Sequence, residues 1–78
     1  MLLYFYDLKA KDAKQFNRVK RRFYYHFNKS NLAKCAMKSK SVLYVDDIYE
    51  AESDSFFKKF KGDIEVHKTR CESVERLV

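Results

Sequence analysis

Seventy-eight residues make one small domain, which buries only about 60–65% of its unfolded-chain surface and cannot enclose a large substrate cavity. At 46% hydrophobic and 17% aromatic residues the chain is too apolar for disorder; one glycine (Gly62) and no proline exclude collagen-like, linker-like and glycine-rich phosphate-loop readings. The formal charge of +6 hides an asymmetry, because residues 1–40 carry eleven Lys/Arg against two acids (+9) and residues 41–78 carry six against nine (−3). Such a split points to an anionic partner for the first half, with nucleic acid the leading candidate.

Leu2–Tyr6 is a short aromatic-rich run that ends at Asp7 and is predicted as a strand buried on both faces. Lys11–Asn28 is predicted as the main helix, with Asp12 in its first turn. At about 100° per residue, Ala13, Phe16, Val19, Phe23 and Phe27 share one side, while Lys11, Lys14, Arg18, Arg21, Arg22, Tyr25 and Lys29 lie opposite. Lys20 falls near the apolar side and would have to snorkel. Leu32–Lys38 alternates in polarity and is predicted as an edge strand blunted by lysines. Lys38–Ser41 forms the turn, and Val42–Val45 is the next strand, stopping at Asp46-Asp47.

Ile48–Lys61 is predicted as a second helix, with acids first, lysines last and Gly62 as its terminal cap. Asp63–Lys68 alternates again and supplies the last strand, while Thr69–Val78 fits either a short helix or an added strand. The order is that of a split βαβ pattern: an α+β, ferredoxin-like βαββαβ domain with a four-stranded antiparallel sheet and two helices on one face. The expectation extends to central first and third strands that run parallel, with neighbouring C-terminal ends. Tyr4, Tyr6 and Tyr44 are expected on the face that the helices leave bare.

Two constellations carry candidate chemistry. Asp7 and Asp46, with Asp47 beside it, would then close adjacent strands, and clustered carboxylates are what Mg²⁺ or Mn²⁺ needs to polarise a phosphodiester and activate water. The same aspartates also suit strand ends and helix caps, which need no metal. The second constellation is the helix stripe of Lys11, Lys14, Arg18, Arg21, Arg22 and Lys29 around Tyr25. It fits a phosphate backbone, and its competing reading is a solvated helix face. Cys35, Cys71, His26 and His67 lack metal-ligand spacing, and the two cysteines fall at opposite sheet edges. No organic cofactor is expected. No apolar run approaches the roughly 18–20 residues of a membrane span, so a cytoplasmic protein with no membrane contact is expected.

The aromatic strand ending in Tyr6-Asp7-Leu8, followed by an arginine- and lysine-rich helix, a hairpin, a helix and a last strand, resembles the smaller of the CRISPR adaptation proteins. That family is related to virulence-associated toxin ribonucleases. The resemblance implies a ferredoxin-like homodimer that bridges copies of an integrase partner. It also implies a metal-dependent endonuclease of RNA or DNA, with Asp7 as the metal-binding catalytic residue. It makes residues 69–78 a candidate dimerisation segment. Against the family pattern, Asn28–Asn31 stands where a glycine precedes the second strand, and Cys35-Ala36-Met37-Lys38-Ser39 replaces a Ser-Val-Phe-like strand. Three functions therefore stand side by side: a nucleic-acid-binding homodimer with nuclease chemistry, a non-catalytic RNA- or DNA-binding module, and a module that meets an acidic protein.

Overall fold

A computed structural model describes residues 1–78. In chain order the elements are β1 (Leu2–Leu8), α1 (Ala13–Lys29), α2 (Leu32–Cys35), β2 (Met37–Ser39), β3 (Val42–Val45), a single 3₁₀ turn (Asp47–Tyr49), α3 (Glu50–Lys58) and β4 (Ile64–Arg70). The architecture is α+β, with one four-stranded sheet in the order β2-β3-β1-β4 and every neighbouring pair antiparallel. No helix is long and apolar enough to cross a membrane.

Local chemistry sets the boundaries of α1. Asp12 is its N-cap rather than a first-turn residue: its carboxylate accepts the Gln15 backbone N–H at 2.8 Å. Gln15 Oε1 in turn accepts the Lys11 N–H at 2.8 Å, so one orphan donor of the helix and the N–H just before its cap are satisfied reciprocally. At the other end Ser30 bonds back to the Phe27 carbonyl through its backbone N–H (3.0 Å) and its hydroxyl (2.7 Å).

Leu32–Cys35 is a helical turn, not the start of an edge strand. Ala36 N–H reaches the Leu32 carbonyl at 2.9 Å, and the strand is confined to Met37–Ser39. Leu, Ala and Lys are good helix formers, and the segment has no β-branched residue. Leu32 is fully buried with Cys35 and Ala36 packed beside it, a spacing of three and four that the apparent alternation concealed.

The direction of β3 overturns a second expectation. Leu2 stands opposite Val45 and Phe5 opposite Val42, so the two central strands are antiparallel. Connectivity accounts for this. β1 and β2 run parallel with one strand between them, and the short Lys40-Ser41 connection reverses the chain into β3.

Side-chain alternation corrects a third. Tyr4 and Tyr6 face the helices, not the bare side of the sheet. Tyr4 stacks on Phe57 with ring centroids 5.0 Å apart, and Tyr6 lies 5.1 Å from Phe23. With Leu2, Phe27, Leu32, Leu43, Val45, Phe56, Phe60 and Ile64 they form one aromatic-rich core. Tyr44 is the tyrosine on the opposite face, in register with Leu3 and Met37. Phe5 shares that face and is 44% exposed.

The second long helix is shorter than Ile48–Lys61. A 3₁₀ turn precedes it, and turns from Lys59 to Gly62 follow it. Gly62 takes φ +94°, a left-handed conformation that lets the chain leave the helix for β4. Beyond β4 the Cys71 N–H bonds to the Met1 carbonyl at 2.9 Å, adding one further pair alongside β1. The remaining residues carry no regular structure, and Val74, Glu75 and Arg76 border a cleft of about 330 Å³ with Met37 and Tyr44.

Candidate nucleic-acid interface

α1 is anchored by Val19, Phe23 and Phe27, all buried, which turns the opposite side of the helix to solvent. Lys14, Arg18, Arg21 and Tyr25 lie on that outer side, and Lys11 is exposed just before the helix. Arg22 of the expected stripe is engaged elsewhere, whereas Lys29 is held within it. The Arg22 guanidinium donates to Asp63 at 2.9 Å and sits 5.1 Å above the Phe60 ring, tying α1 to the turn before β4. Lys29 Nζ lies 4.6 Å from the centre of the Tyr25 ring.

The structure adds residues that the sequence reading placed otherwise. Lys20 is exposed on the flank of α1 that faces the β2–β3 hairpin, rather than folded against the core. Tyr24 is half-buried there, and Lys38 from β2 places its Nζ 4.6 Å over the Tyr24 ring. Asn17, Lys20, Arg21, Tyr24, Tyr25 and Asn28 line an open depression of about 500 Å³ along this flank. Lys20 and Tyr24 also line a second notch of about 250 Å³, which reaches Lys40 and Ser41 of the hairpin and Asp7 at the end of β1. One signal for these residues was present in the sequence: lysines of the hairpin become neighbours of α1 once the strand they occupy is short. Their role as edge guards hid it.

The two proposed metal ligands are not brought together. Asp7 stands opposite Glu65 on β4, near the far end of β1. Asp46 follows Val45, which is paired with Leu2 at the near end. Asp46 thus falls opposite Met1, and at about 3.3 Å per residue the two positions are roughly 20 Å apart along the strand. Asp46 instead caps the 3₁₀ turn, its carboxylate accepting the Ile48 N–H at 3.1 Å. Beside Asp7, Glu65 already has Lys9 Nζ at 3.8 Å. No group of three or more His, Cys, Asp or Glu side chains is arranged to hold a metal ion. The pair Asp7 and Asp46 therefore does not fit one divalent cation within a single chain. Cys35 and Cys71 are free thiols, and burial, with Glu52 nearby, pushes the Cys35 thiol up.

A separate cluster joins α3 to β4. Asp54 accepts the Tyr4 hydroxyl at 2.7 Å and Lys68 Nζ at 3.0 Å. Glu50 accepts Lys68 at 2.8 Å and Arg70 at 2.7 Å, and Asp47 accepts the Met1 amine at 2.9 Å. Lys68 and then Arg70 hold the Glu50 carboxyl below the usual carboxylate range. Burial alone would push Asp54 up, but the Tyr4 hydroxyl and Lys68 outweigh it and the net shift is downward. Burial and the Asp54 carboxylate drive the Tyr4 phenol well above its ordinary range.

No family model, curated protein or solved structure matches the chain.

Proposed function

We propose that this is a small nucleic-acid-binding protein of ferredoxin-like architecture, which holds the phosphate backbone on the outer face of α1 and the adjoining hairpin. One observation carries the reading. Of the eleven Lys/Arg in residues 1–40, only Lys9 and Arg22 have a carboxylate within 4.0 Å. The fold thus leaves the other nine without a carboxylate partner, most of them around one helix and one hairpin. A merely solvated face mixes signs, whereas this one adds cations to exposed aromatic and amide groups. The ferredoxin-like part of the proposal is supported by the order β2-β3-β1-β4, in which each parallel pair (β1 with β2, β3 with β4) is split by one antiparallel strand. The helical turn α2 is an addition to that plan.

Binding should be measured by fluorescence anisotropy with a labelled oligonucleotide across a salt series. Log affinity is expected to fall linearly with log salt, and Arg18→Ala and Arg21→Ala should each lower the slope by about 0.7–0.9. An unchanged slope in both variants would remove α1 from the interface, and binding only to an acidic protein would replace the reading outright.

Phosphodiester cleavage is a second reading, favoured by the position of Asp7 on the notch that Lys20 and Lys40 share. Asp46 has no part in it. The resemblance to the smaller CRISPR adaptation protein would pair residues 69–78 with the sheet of a second copy, and the bare sheet face of Leu3, Phe5, Val42 and Tyr44 is an apolar surface such a copy could cover. Cleavage of labelled RNA or DNA in Mg²⁺ or Mn²⁺, abolished by Asp7→Ala, would establish this reading. Cleavage that survives the substitution would exclude Asp7, and none in either metal leaves binding as the function.

A further inference from the structure

We infer that the ligand is single-stranded nucleic acid, with a base stacked on Tyr25 and the strand running from the α1 flank toward the hairpin. The inference rests on the nucleic-acid reading and narrows it. Tyr25 is 56% exposed on the outer side of α1 and takes no part in the core. The ring adds nothing to the core; its contacts are with His26 and Lys29 of its own helix. Its neighbours are those a base and its phosphate require: Lys29 places a cation 4.6 Å from the ring centre, and Arg21 and Asn28 lie beside it in the same depression. Stacking of this kind tolerates any base, because every base has a π-face.

Duplex nucleic acid cannot use this arrangement. Its bases are stacked inside and offer no free face to a tyrosine, and its own stiffness resists bending over short distances. The depression along α1 and the notch toward Lys40 share Lys20 and Tyr24, so the track leaves the helix and turns onto the hairpin. A flexible strand follows such a turn. The amides of Asn17 and Asn28 fit the same conclusion, since they can reach Watson–Crick edges only when those edges are unpaired. No carboxylate lines the depression; Asp7 enters only at the far notch.

The test compares a labelled 12-nucleotide oligothymidylate with a 12-base-pair duplex by anisotropy at low salt. The single strand should bind at least five-fold more tightly. Tyr25→Ala should weaken single-strand binding five-fold or more without changing the salt slope, because no phosphate contact is lost, and Tyr25→Phe should retain the affinity. Arg21→Ala, measured alongside, should lower the slope instead. Tyr25 is exposed, so an unchanged far-ultraviolet circular dichroism spectrum is expected for both tyrosine variants. Equal or tighter binding of the duplex, or a neutral Tyr25→Ala, overturns the inference while leaving the nucleic-acid reading intact. Binding of neither probe fails that reading and this inference together.

Discussion

The two halves of the molecule use charge in opposite ways. Around α1 the cations outnumber the acids, and the fold pairs only Arg22 and Lys9. Between α3 and β4 the charges interlock: Glu50, Asp54, Lys68 and Arg70 form a continuous network in which a buried tyrosine hydroxyl ends, and Lys58, Lys59 and Lys61 stay outside it. Exposed ion pairs contribute little individually, so the second cluster matters because its members share partners and because Tyr4 is buried. Cations without partners stabilise nothing and repel one another. The difference separates charge that shapes the domain from charge held ready for something else.

Both halves meet at Phe23, which is 1% exposed. Its ring lies 5.1 Å from Tyr6 on β1 and 5.4 and 5.2 Å from Phe56 and Phe60 at the α3 end. Phe23→Ala removes the ring on which α1 and α3 pack, at a cost of about 3–5 kcal/mol. That is most of the stability of a marginal domain, so the variant is expected to lose its cooperative urea transition. A cooperative transition with an unshifted midpoint would mean that the two halves are joined elsewhere.

The next effect separates them. Asp54→Ala leaves the Tyr4 hydroxyl without its acceptor and should cost about 1–2 kcal/mol, lowering Tm by about 4–8 °C per kcal/mol. It should leave oligonucleotide affinity unchanged. Arg21→Ala should do the reverse, with stability held within about 0.5 kcal/mol of the parent. If Asp54→Ala weakened binding as much as Arg21→Ala, the division between structural and available charge would be wrong.

Much of this division was legible in the sequence, and its gaps have physical causes. The α1 face could be read because Val19, Phe23 and Phe27 recur at the helical period over about two turns. β1 could be read as a strand but not oriented: a run apolar on both sides conceals which residues face the helices, so the sequence alone does not show that Tyr4 and Tyr6 belong to the core. Over the four residues Leu32–Cys35 a period of two cannot be told from one of three to four. The partnership of Arg22 with Asp63 spans 41 residues and exists only after folding. The misplaced metal site had another origin. Asp7 and Asp46 end similar apolar runs, but similarity of motif does not imply proximity in space, and the antiparallel pairing of β1 with β3 sets the two ends apart.

The smallest effect concerns pH. The Glu50 carboxyl is held low by Lys68 and Arg70, and Asp47 by the Met1 amine. A depressed folded-state pKa contributes stability that is present above the unfolded value, about 3.9 for Asp and 4.3 for Glu, and lost as pH falls through the folded one. Lys68 is raised by Glu50 and Asp54, so its contribution is complete below about 10.4 and is lost as pH rises through the higher folded value. Tm should therefore stay level across neutral pH and decline at both extremes. Glu50→Gln cannot ionise and should flatten the acid decline measured by thermal melts. An acid limb as steep as the parent's would show that the network responds to pH through other groups. Arg18→Gln should leave that limb unchanged, because Arg18 has no carboxylate within 4.0 Å for acid to neutralise. A shallower acid limb in Arg18→Gln would mean that α1 is coupled to acids through longer-range fields, and that its charge is less free than its contacts imply.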